Sequence, residues 1–363
     1  MRRLWMLGVV LLALVQVVPA GAQVGPNDAT AQKAIVYIRT QQAADGSFAG
    51  FGAGSTADAI YALAAANVNA AEFKNGGASA VDGLVKAAPD AAKDVGVAAK
   101  FVMAALLASQ EPRTLGGLDL VTVVENGFDA ATELYGKDVT AHALSILALG
   151  AAGEPVRLAA TAKLESLQLP DGGWSFDGAA ATGSDTNTTA LAIQALISVK
   201  GNADVRGKAL GYLRAQQNAD AGFPYSQTSQ FGNASDANST AVSIQAILAA
   251  GEPLSNWAKA GQTPLDRLLL FQNASGAFRY QDTPPDDNQL ASYQAVPAML
   301  GKTLPLEGIA IALPSVEPVV PTPAVGSPGQ LPGTGATTVP AVLALVAGVL
   351  ILVSGFALRR RSI

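Results

Sequence analysis

Six aspartates introduce alanine-rich segments of the chain, at Asp58, Asp94, Asp138, Asp185, Asp236 and Asp287. Carboxyl groups gathered at one place could donate protons in catalysis or accept hydrogen bonds from a bound ligand. Aspartate is equally a preferred helix N-cap, where it contributes about 1 kcal/mol of stability without any further function. Both interpretations stay open at the level of the sequence.

Small polar residues follow several of these aspartates and would share their end of the segments. The candidate ligand-binding residues are Asp185, Asn187, Thr188, Asp236, Asn238, Asp287 and His142. His142, the one histidine, is either a packed residue or a ligand contact. The sequence thus predicts a polar rim that binds a small molecule or a partner protein.

The composition excludes several classes of site. The 363-residue chain has no cysteine, so disulfides, thiolate zinc sites and cysteine nucleophiles are excluded, and one histidine argues against a histidine-based metal centre. Without the five arginines near the two ends, 18 basic residues stand against 28 acidic ones, a formal net charge of −10. A surface this acidic argues against nucleic acid as a partner.

The two ends of the chain carry targeting signals. Residues 1–22 combine two arginines, an apolar run and small residues, which is typical of a secretory signal peptide, with a retained signal anchor as the alternative. Residues 312–335 hold a proline every few positions, which favours an extended stalk. Residues 336–363 hold an apolar stretch followed by three arginines, typical of a transmembrane segment with a cytoplasmic basic end.

The stalk ends in the pentapeptide Leu331, Pro332, Gly333, Thr334 and Gly335. It resembles the LPxTG sorting signal of cell-wall-anchored surface proteins. The resemblance implies that a sortase cleaves between Thr334 and Gly335 and joins the chain to the cell wall. A membrane anchor with a chance LPGTG is the alternative, and both place the remaining domain on the extracellular face.

Residues 27–311 consist of repeats. The segments TADAIYALAA, TAHALSILAL, TALAIQALIS and TAVSIQAILA are alike, and six such segments begin 41 to 51 residues apart. They are apolar or small nearly all round, which predicts buried helices, whereas the segments before them are amphipathic. This alternation predicts an all-α (α/α)6 toroid of six helical hairpins, with outer and inner helix rings. A linear solenoid of the same period is the alternative.

A second repeat joins each outer segment to the inner one. Its members share a glutamine, a glycine and an aromatic residue, and they include Phe48, Gln168, Gly173, Trp174, Gln216, Phe223, Gln272 and Phe278. Glycine allows a tight exit from a helix, and an aromatic ring can fill the gap to a neighbouring repeat. Four copies of a glutamine and an aromatic residue have no evident catalytic use, so we interpret the motif as structural.

This turn resembles the QW motif of squalene–hopene-type cyclases. With the alternating helices, it indicates the terpenoid cyclase/protein prenyltransferase superfamily of α/α toroids. In triterpene cyclases a DxDDTA motif protonates an alkene, and the matching stretch here is Asp185-Thr186-Asn187-Thr188-Thr189-Ala190. Asn187 and Thr188 replace the two central acids, and neither can donate the proton.

Other members of the superfamily imply other chemistry. Protein prenyltransferases hold zinc through Asp, Cys and His, and complement thioester domains need a cysteine, so the lack of cysteine excludes both. Cobalamin carriers bind a corrinoid, but the second domain that closes over it is not visible here. We expect no metal and no cofactor, with a corrinoid as an unsupported alternative.

The sequence therefore favours a surface-anchored, non-catalytic toroid that binds a small molecule or partner where the inner helices begin. A diverged terpene cyclase or prenyltransferase-like enzyme is the alternative. A purely structural surface module is the third interpretation.

Overall fold

The structure, a computed structural model, describes residues 24–230 and 232–306. The predicted signal peptide, the stalk with its LPGTG motif and the C-terminal apolar segment lie outside these residues. Within the described ranges, no helix has the length and apolar character needed to cross a membrane.

The helices form six hairpins, each made of an outer helix and the inner helix that follows it. The pairs are α1 (Ala29–Thr40) with α2 (Gly54–Ala65), α3 (Ala80–Ala91) with α4 (Val95–Leu107), α5 (Leu120–Asn126) with α6 (Val139–Ala151), α7 (Leu158–Ser166) with α8 (Thr186–Ser198), α9 (Ala203–Gln216) with α10 (Ala237–Ala249), and α11 (Pro264–Leu269) with α12 (Gln289–Met299). A 3-10 helix, Leu254–Trp257, precedes α11. Two antiparallel pairs of very short strands lie in the turns: β1 (Phe128–Asp129) with β2 (Leu134–Tyr135), and β3 (Phe278–Arg279) with β4 (Asp287–Asn288).

The inner helices close into a ring. Each packs against the inner helix before it and the one after it, and α12 packs against α2. In a linear solenoid the first and last repeats do not meet, so this contact excludes that alternative. The predicted all-α toroid with two helix rings is confirmed.

Burial follows the sequence pattern of the two kinds of helix. Every residue of α2 is buried, because the helix is surrounded by its neighbours in the ring and by the outer helices. In α9, by contrast, only Ala209, Tyr212 and Leu213 are buried. The many alanines of the inner helices allow their backbones to approach closely around a narrow axis.

A glutamine side chain connects each of four hairpins to the next one, and we call this contact the joint. Gln168 Nε2 donates to the carbonyl of Gly172 at 2.9 Å and to that of Val205, in the next outer helix, at 2.8 Å. The same pair of hydrogen bonds, one to its own turn and one to the next hairpin, is made by Gln42, Gln217 and Gln272. The predicted Gln216 is still the last residue of α9, so its neighbour Gln217 makes the joint instead.

The residue four positions after each joint glutamine has a positive φ. It is Gly172 (φ +90°) in the fourth hairpin and Ala221 (φ +65°) in the fifth. A Cβ on Gly172 would lie 2.5 Å from the carbonyl oxygen of Lys208 on the next outer helix. The predicted Gly173 is also confined, since a Cβ there would lie 2.6 Å from that of Ser184. These turns therefore allow the hairpins to approach backbone to backbone.

The aromatic residues of the motif are buried wedges between hairpins: Phe48, Trp174, Phe223 and Phe278. The backbone N–H of each wedge donates to a hydroxyl in the first turn of the following inner helix, which we call the latch. Trp174 N donates to Thr189 Oγ1 at 3.0 Å, and Thr56, Thr240 and Ser292 are the other hydroxyl latches. The motif thus orients an inner helix and fixes the next hairpin.

Replacing the joint glutamine that connects the last hairpin to the first tests how much this contact contributes to stability. Gln272 Nε2 donates to Thr30 O at 2.9 Å, which connects the last hairpin to the first. We expect Gln272→Ala to lower the free energy of unfolding by about 2 kcal/mol, because two hydrogen bonds are lost. Urea denaturation measures the change. The control Gln262→Ala, at an exposed glutamine in the turn before α11, should change it by less than about 0.5 kcal/mol, and equal effects would contradict the assignment.

Candidate functional site: the mouth of the inner ring

The inner helices all begin at one end of the ring, which we call the mouth. Five of them have a side-chain N-cap that accepts a hydrogen bond from a backbone N–H of the first turn, and the caps are Asp94, Asp138, Asp185, Asp236 and Asn288. Helix capping therefore accounts for four of the six predicted aspartates.

Two of the candidate carboxyls are buried below the surface of the mouth. Asp185 and Asp236 are covered because the next turn folds over each helix start: Thr186 N donates to Tyr225 O, and Ala237 N to Tyr280 O, both at 2.8 Å. Burial raises the pKa of Asp185 to about 6 and that of Asp236 to about 7. Thr188 is buried as well, so these three residues do not form an open rim.

The two remaining aspartates depart from the predicted pattern. Asp287 lies one residue before the cap of α12 and is exposed; its Oδ1 accepts bonds from Asn273 and Ser275 at 2.7 and 2.9 Å. Asp58 lies inside α2, one turn beyond the helix start. Neither caps a helix, and Asp287 belongs to the short strand β4 at the surface.

His142 has a structural role as the latch of the third hairpin. The ring is buried; Nδ1 accepts from Tyr135 N at 2.9 Å, and Nε2 lies 2.9 Å from Ala160 O, to which it must donate. Both nitrogens are thus engaged in the neutral ring. Burial lowers the pKa of His142 to about 4. A ligand contact through this side chain is not available.

Helix geometry shows which residues face the ring axis. Two residues along an α-helix turn the side-chain direction by about 200°, so the position two residues after a latch lies on the opposite face, toward the axis. The residues at this position are Asp58, Leu144, Leu191, Val242 and Gln294, and Lys100 is the equivalent residue of α4. Asn187 and Asn238, two residues before their latches, share that face nearer the mouth. We call this set the cup.

One side of the cup is an ion pair that the sequence analysis missed. Lys100 Nζ lies 2.6 Å from Asp58 Oδ2, with the side chains 21% and 8% exposed. Burial raises the pKa of Asp58, and the charge of Lys100 opposes that shift. They are the only charged residues in the six inner helices, with His142 neutral. The sequence signal for this pair is an acidic residue and a basic residue at equivalent positions of two consecutive buried helices.

The opposite side of the cup carries amides. Asn238 Nδ2 donates to Gln294 Oε1 at 2.8 Å, which links α10 to α12. Asn187 is half-buried, and its Oδ1 makes no hydrogen bond to the described part of the chain. Leu191 and Val242 add aliphatic surface to this side of the cup. The cup therefore combines charged, amide and aliphatic groups on the axis-facing sides of the inner helices.

The far end of the bore is closed by the chain that follows α12. Leu304 N donates to Gln194 Oε1 at 2.8 Å, and Gln245 Nε2 donates to Lys302 O at 3.0 Å. Both glutamines face the axis one turn below the cup and are buried. The segment 302–304 thus lies across the end of α8 and α10 that is opposite to the mouth.

The cup provides hydrogen-bonding groups but no free acid, because Asp58 is paired with Lys100 and the capping carboxyls bond to their helices. Among residues 24–230 and 232–306, no group of three or more His, Asp or Glu side chains could hold a metal ion. The arrangement is suited to binding a molecule that has both polar and apolar parts.

Comparison with solved structures shows the same fold. A protein from Actinoplanes matches with a TM-score of 0.55 at 16% identity, over 75% of this chain and 98% of that one. The type II terpene cyclase MstE from Scytonema, in its apo form, matches with a TM-score of 0.53 at 12% identity, over 75% and 96%. A variant of MstE in complex with geranylgeranyl dihydroxybenzoate matches with a TM-score of 0.52 at 11% identity, over 75% and 96%.

These likenesses establish the α/α toroid fold that the turn motif indicated. No protein-family model and no curated protein matches the chain. At these identities the comparison concerns the fold alone, so that the function has to be argued from the residues of the cup.

The latch role of His142 predicts a specific pH dependence. Its pKa is about 4 in the folded protein against an ordinary 6.5, so between these values the unfolded chain binds more protons. The unfolding free energy should therefore fall by about 3 kcal/mol as pH drops through this window.

The variant His142→Thr restores a hydroxyl latch and lacks this titration. Asp185 and Asp236 have raised pKa values and act in the opposite direction, so the quantity to follow is the difference between variant and wild type. Urea denaturation between pH 4 and 7 measures it. Parallel stability curves would show that His142 is not held neutral by burial.

Proposed function

We propose that this protein is a non-catalytic, surface-displayed binding protein that takes a small amphipathic molecule into the cup. The observation that supports this most is the Asp58–Lys100 pair. Burying two charges costs several kcal/mol, and neither packing nor capping in a ring of alanine-rich helices requires them. Partly buried polar groups in a concave, largely apolar site are the usual features of a ligand site.

The positions of the acids argue against catalysis. Asn187 and Thr188 replace the two central acids of the cyclase motif. Asp185 caps its helix, because its Oδ1 accepts a hydrogen bond from Thr188 N at 2.8 Å. Asp236 bonds in the same way to Ser239, through N–H and hydroxyl. Both carboxyls are buried beneath the turns that cover their helix starts, and so they do not open into the cup.

A diverged terpene cyclase is the second candidate. It is favoured by the raised pKa values of Asp185 and Asp236, because a general acid must hold its proton near neutral pH. Incubation of the purified protein with squalene and with geranylgeranyl diphosphate separates the two functions. A cyclic product that is lost in Asp185→Asn would establish the enzyme and overturn the binding proposal.

The two ends of the described toroid lie on the side of the ring opposite to the mouth. Val24 N donates to Met299 O at 3.2 Å, at the end of α12, and Leu304 lies by Gln194 at the closed end of the bore. The chain thus enters and leaves the ring opposite to the mouth. Secretion by residues 1–22 and anchoring through the motif at the end of residues 312–335 would display the toroid outside the cell.

Removing both charges of the cup tests the binding site. We expect Asp58→Leu with Lys100→Met to fold with little loss of stability, because no unpaired charge remains, whereas Lys100→Met alone should cost about 3 kcal/mol. Saturation-transfer NMR with a library of small amphipathic fragments should detect ligands of the wild type that the double variant no longer binds.

The matched control is Asp90 of α3 with Lys93, two residues after the end of that helix, also 2.6 Å apart but exposed to solvent. Asp90→Leu with Lys93→Met should leave fragment binding unchanged. If no fragment distinguishes the two double variants, the cup is not a ligand site, and the purely structural interpretation of the toroid gains.

Wall attachment is tested separately through the sorting motif. In Thr334→Ala the residue that a sortase would join to the wall is replaced, so we expect covalently wall-bound protein to be lost and the protein to appear in the membrane and culture fractions. Immunoblots of muramidase-released wall material measure it. Undiminished wall-bound protein would contradict sortase processing, while signal and stalk could still act with a retained membrane anchor.

A further inference from the structure

A groove of about 490 Å³ lies outside the ring axis, between the fifth and sixth hairpins. Its walls come from the loops that precede α10 and α12, and Arg267 of α11 lies at its base. Polar side chains in its lining include Asn218, Asp220, Ser235, Arg267, Gln281 and Asp282. The volume is within the range of pockets that bind small molecules.

Arg267 holds the two sides of the groove in place. The guanidinium is buried and stacks on Phe271, with its carbon 4.0 Å from the ring centre. Its Nε donates to Asp220 Oδ2 at 2.9 Å, and its Nη2 donates to Asp282 Oδ2 at 2.6 Å. One buried cation thus fixes a carboxylate on each wall, and its donors face the protein.

The wall formed by the loop before α10 is also held in place by a second set of hydrogen bonds. Ser235 Oγ donates to Asp220 Oδ1 at 2.7 Å and accepts from Asn218 Nδ2 at 3.0 Å. Because these groups satisfy one another, the groove does not need a ligand to stay open. Such preorganised polar walls lower the ordering cost of binding.

The groups left for a ligand are mainly acceptors. Asp282 and Asp220 are 59% and 41% exposed, so their carboxylates retain accessible lone pairs. Within the described residues, Gln281 makes one long bond, from Nε2 to Ala234 O at 3.4 Å, which leaves its carbonyl oxygen available. Thr283 adds an exposed hydroxyl at the edge.

The charges of the groove balance. Arg279 Nη2 also donates to Asp282 Oδ1, at 3.1 Å, so two guanidinium groups stand against the carboxylates of Asp220 and Asp282. An anion would meet exposed carboxylates, and a cation would meet carboxylates that are already neutralised. The groove therefore selects a neutral molecule that offers several hydrogen-bond donors.

We propose that this groove binds a neutral saccharide. Sugar hydroxyls supply the donors that the carboxylates and the Gln281 carbonyl can accept, and Ala219 and Ala234 provide small apolar surfaces for a sugar C–H face. This assignment does not rest on the cup, because the two sites share no residue.

Saturation-transfer NMR on the purified protein tests the proposal, with glucose, N-acetylglucosamine, cellobiose and chitobiose as probes. We expect at least one probe to bind, with a dissociation constant that stays constant between 50 and 500 mM NaCl because the ligand is neutral. Gln281→Ala should weaken binding about fivefold, as expected for one lost hydrogen bond, and Gln281→Ala with Asp282→Asn should abolish it.

Asp286→Asn, in the same loop but outside the groove lining, is the matched control and should bind as the wild type does. Thermal melting of every variant verifies that the fold is intact. Spermidine is titrated in parallel as a cationic probe. Spermidine binding without saccharide binding, saccharide binding that survives the double variant, or the absence of any saccharide signal would each overturn the assignment.

Discussion

The double hydrogen bond of the joint glutamine is the interaction on which the ring depends. A side-chain amide has two N–H donors, so one Nε2 can bind its own turn and the next hairpin at the same time. Gln168 shows this with Gly172 and Val205, and Gln272 repeats it across the junction of the last and first hairpins. Ring closure therefore needs no special element; it follows when the repeated joint finds the first outer helix as its next partner.

The same turns decide the chemistry of the mouth. In the fourth and fifth hairpins the next turn folds back over the inner helix, and its backbone covers the capping carboxyl there, as Tyr225 does for Thr186 and Asp185. An aspartate that looks catalytic in the sequence becomes a buried cap with a raised pKa. The ion pair of Asp58 and Lys100 lies one turn deeper, in the first two inner helices.

The two candidate sites use different features of one scaffold. The cup arises from the ring itself, since its residues come from equivalent positions of consecutive inner helices. The groove lies between two neighbouring turns, where Arg267 of α11 binds a carboxylate on each side. In both places a buried cation paired with aspartate sets the local charge close to zero, which favours neutral or amphipathic ligands over strongly charged ones.

The amino-acid sequence by itself determined the architecture, because helical period, capping residues and turn motif are local properties that repeat along the chain. The alanine-rich segments, the wedge at Trp174 and the caps Asp94 and Asp138 could all be assigned in this way. Only the tertiary structure decided which groups meet. Asp58 and Lys100 pair because α2 and α4 are adjacent in the ring, and Leu304 closes the bore because the chain returns beneath α8. Such contacts depend on the direction of each side chain in the assembled ring, which no single repeat specifies.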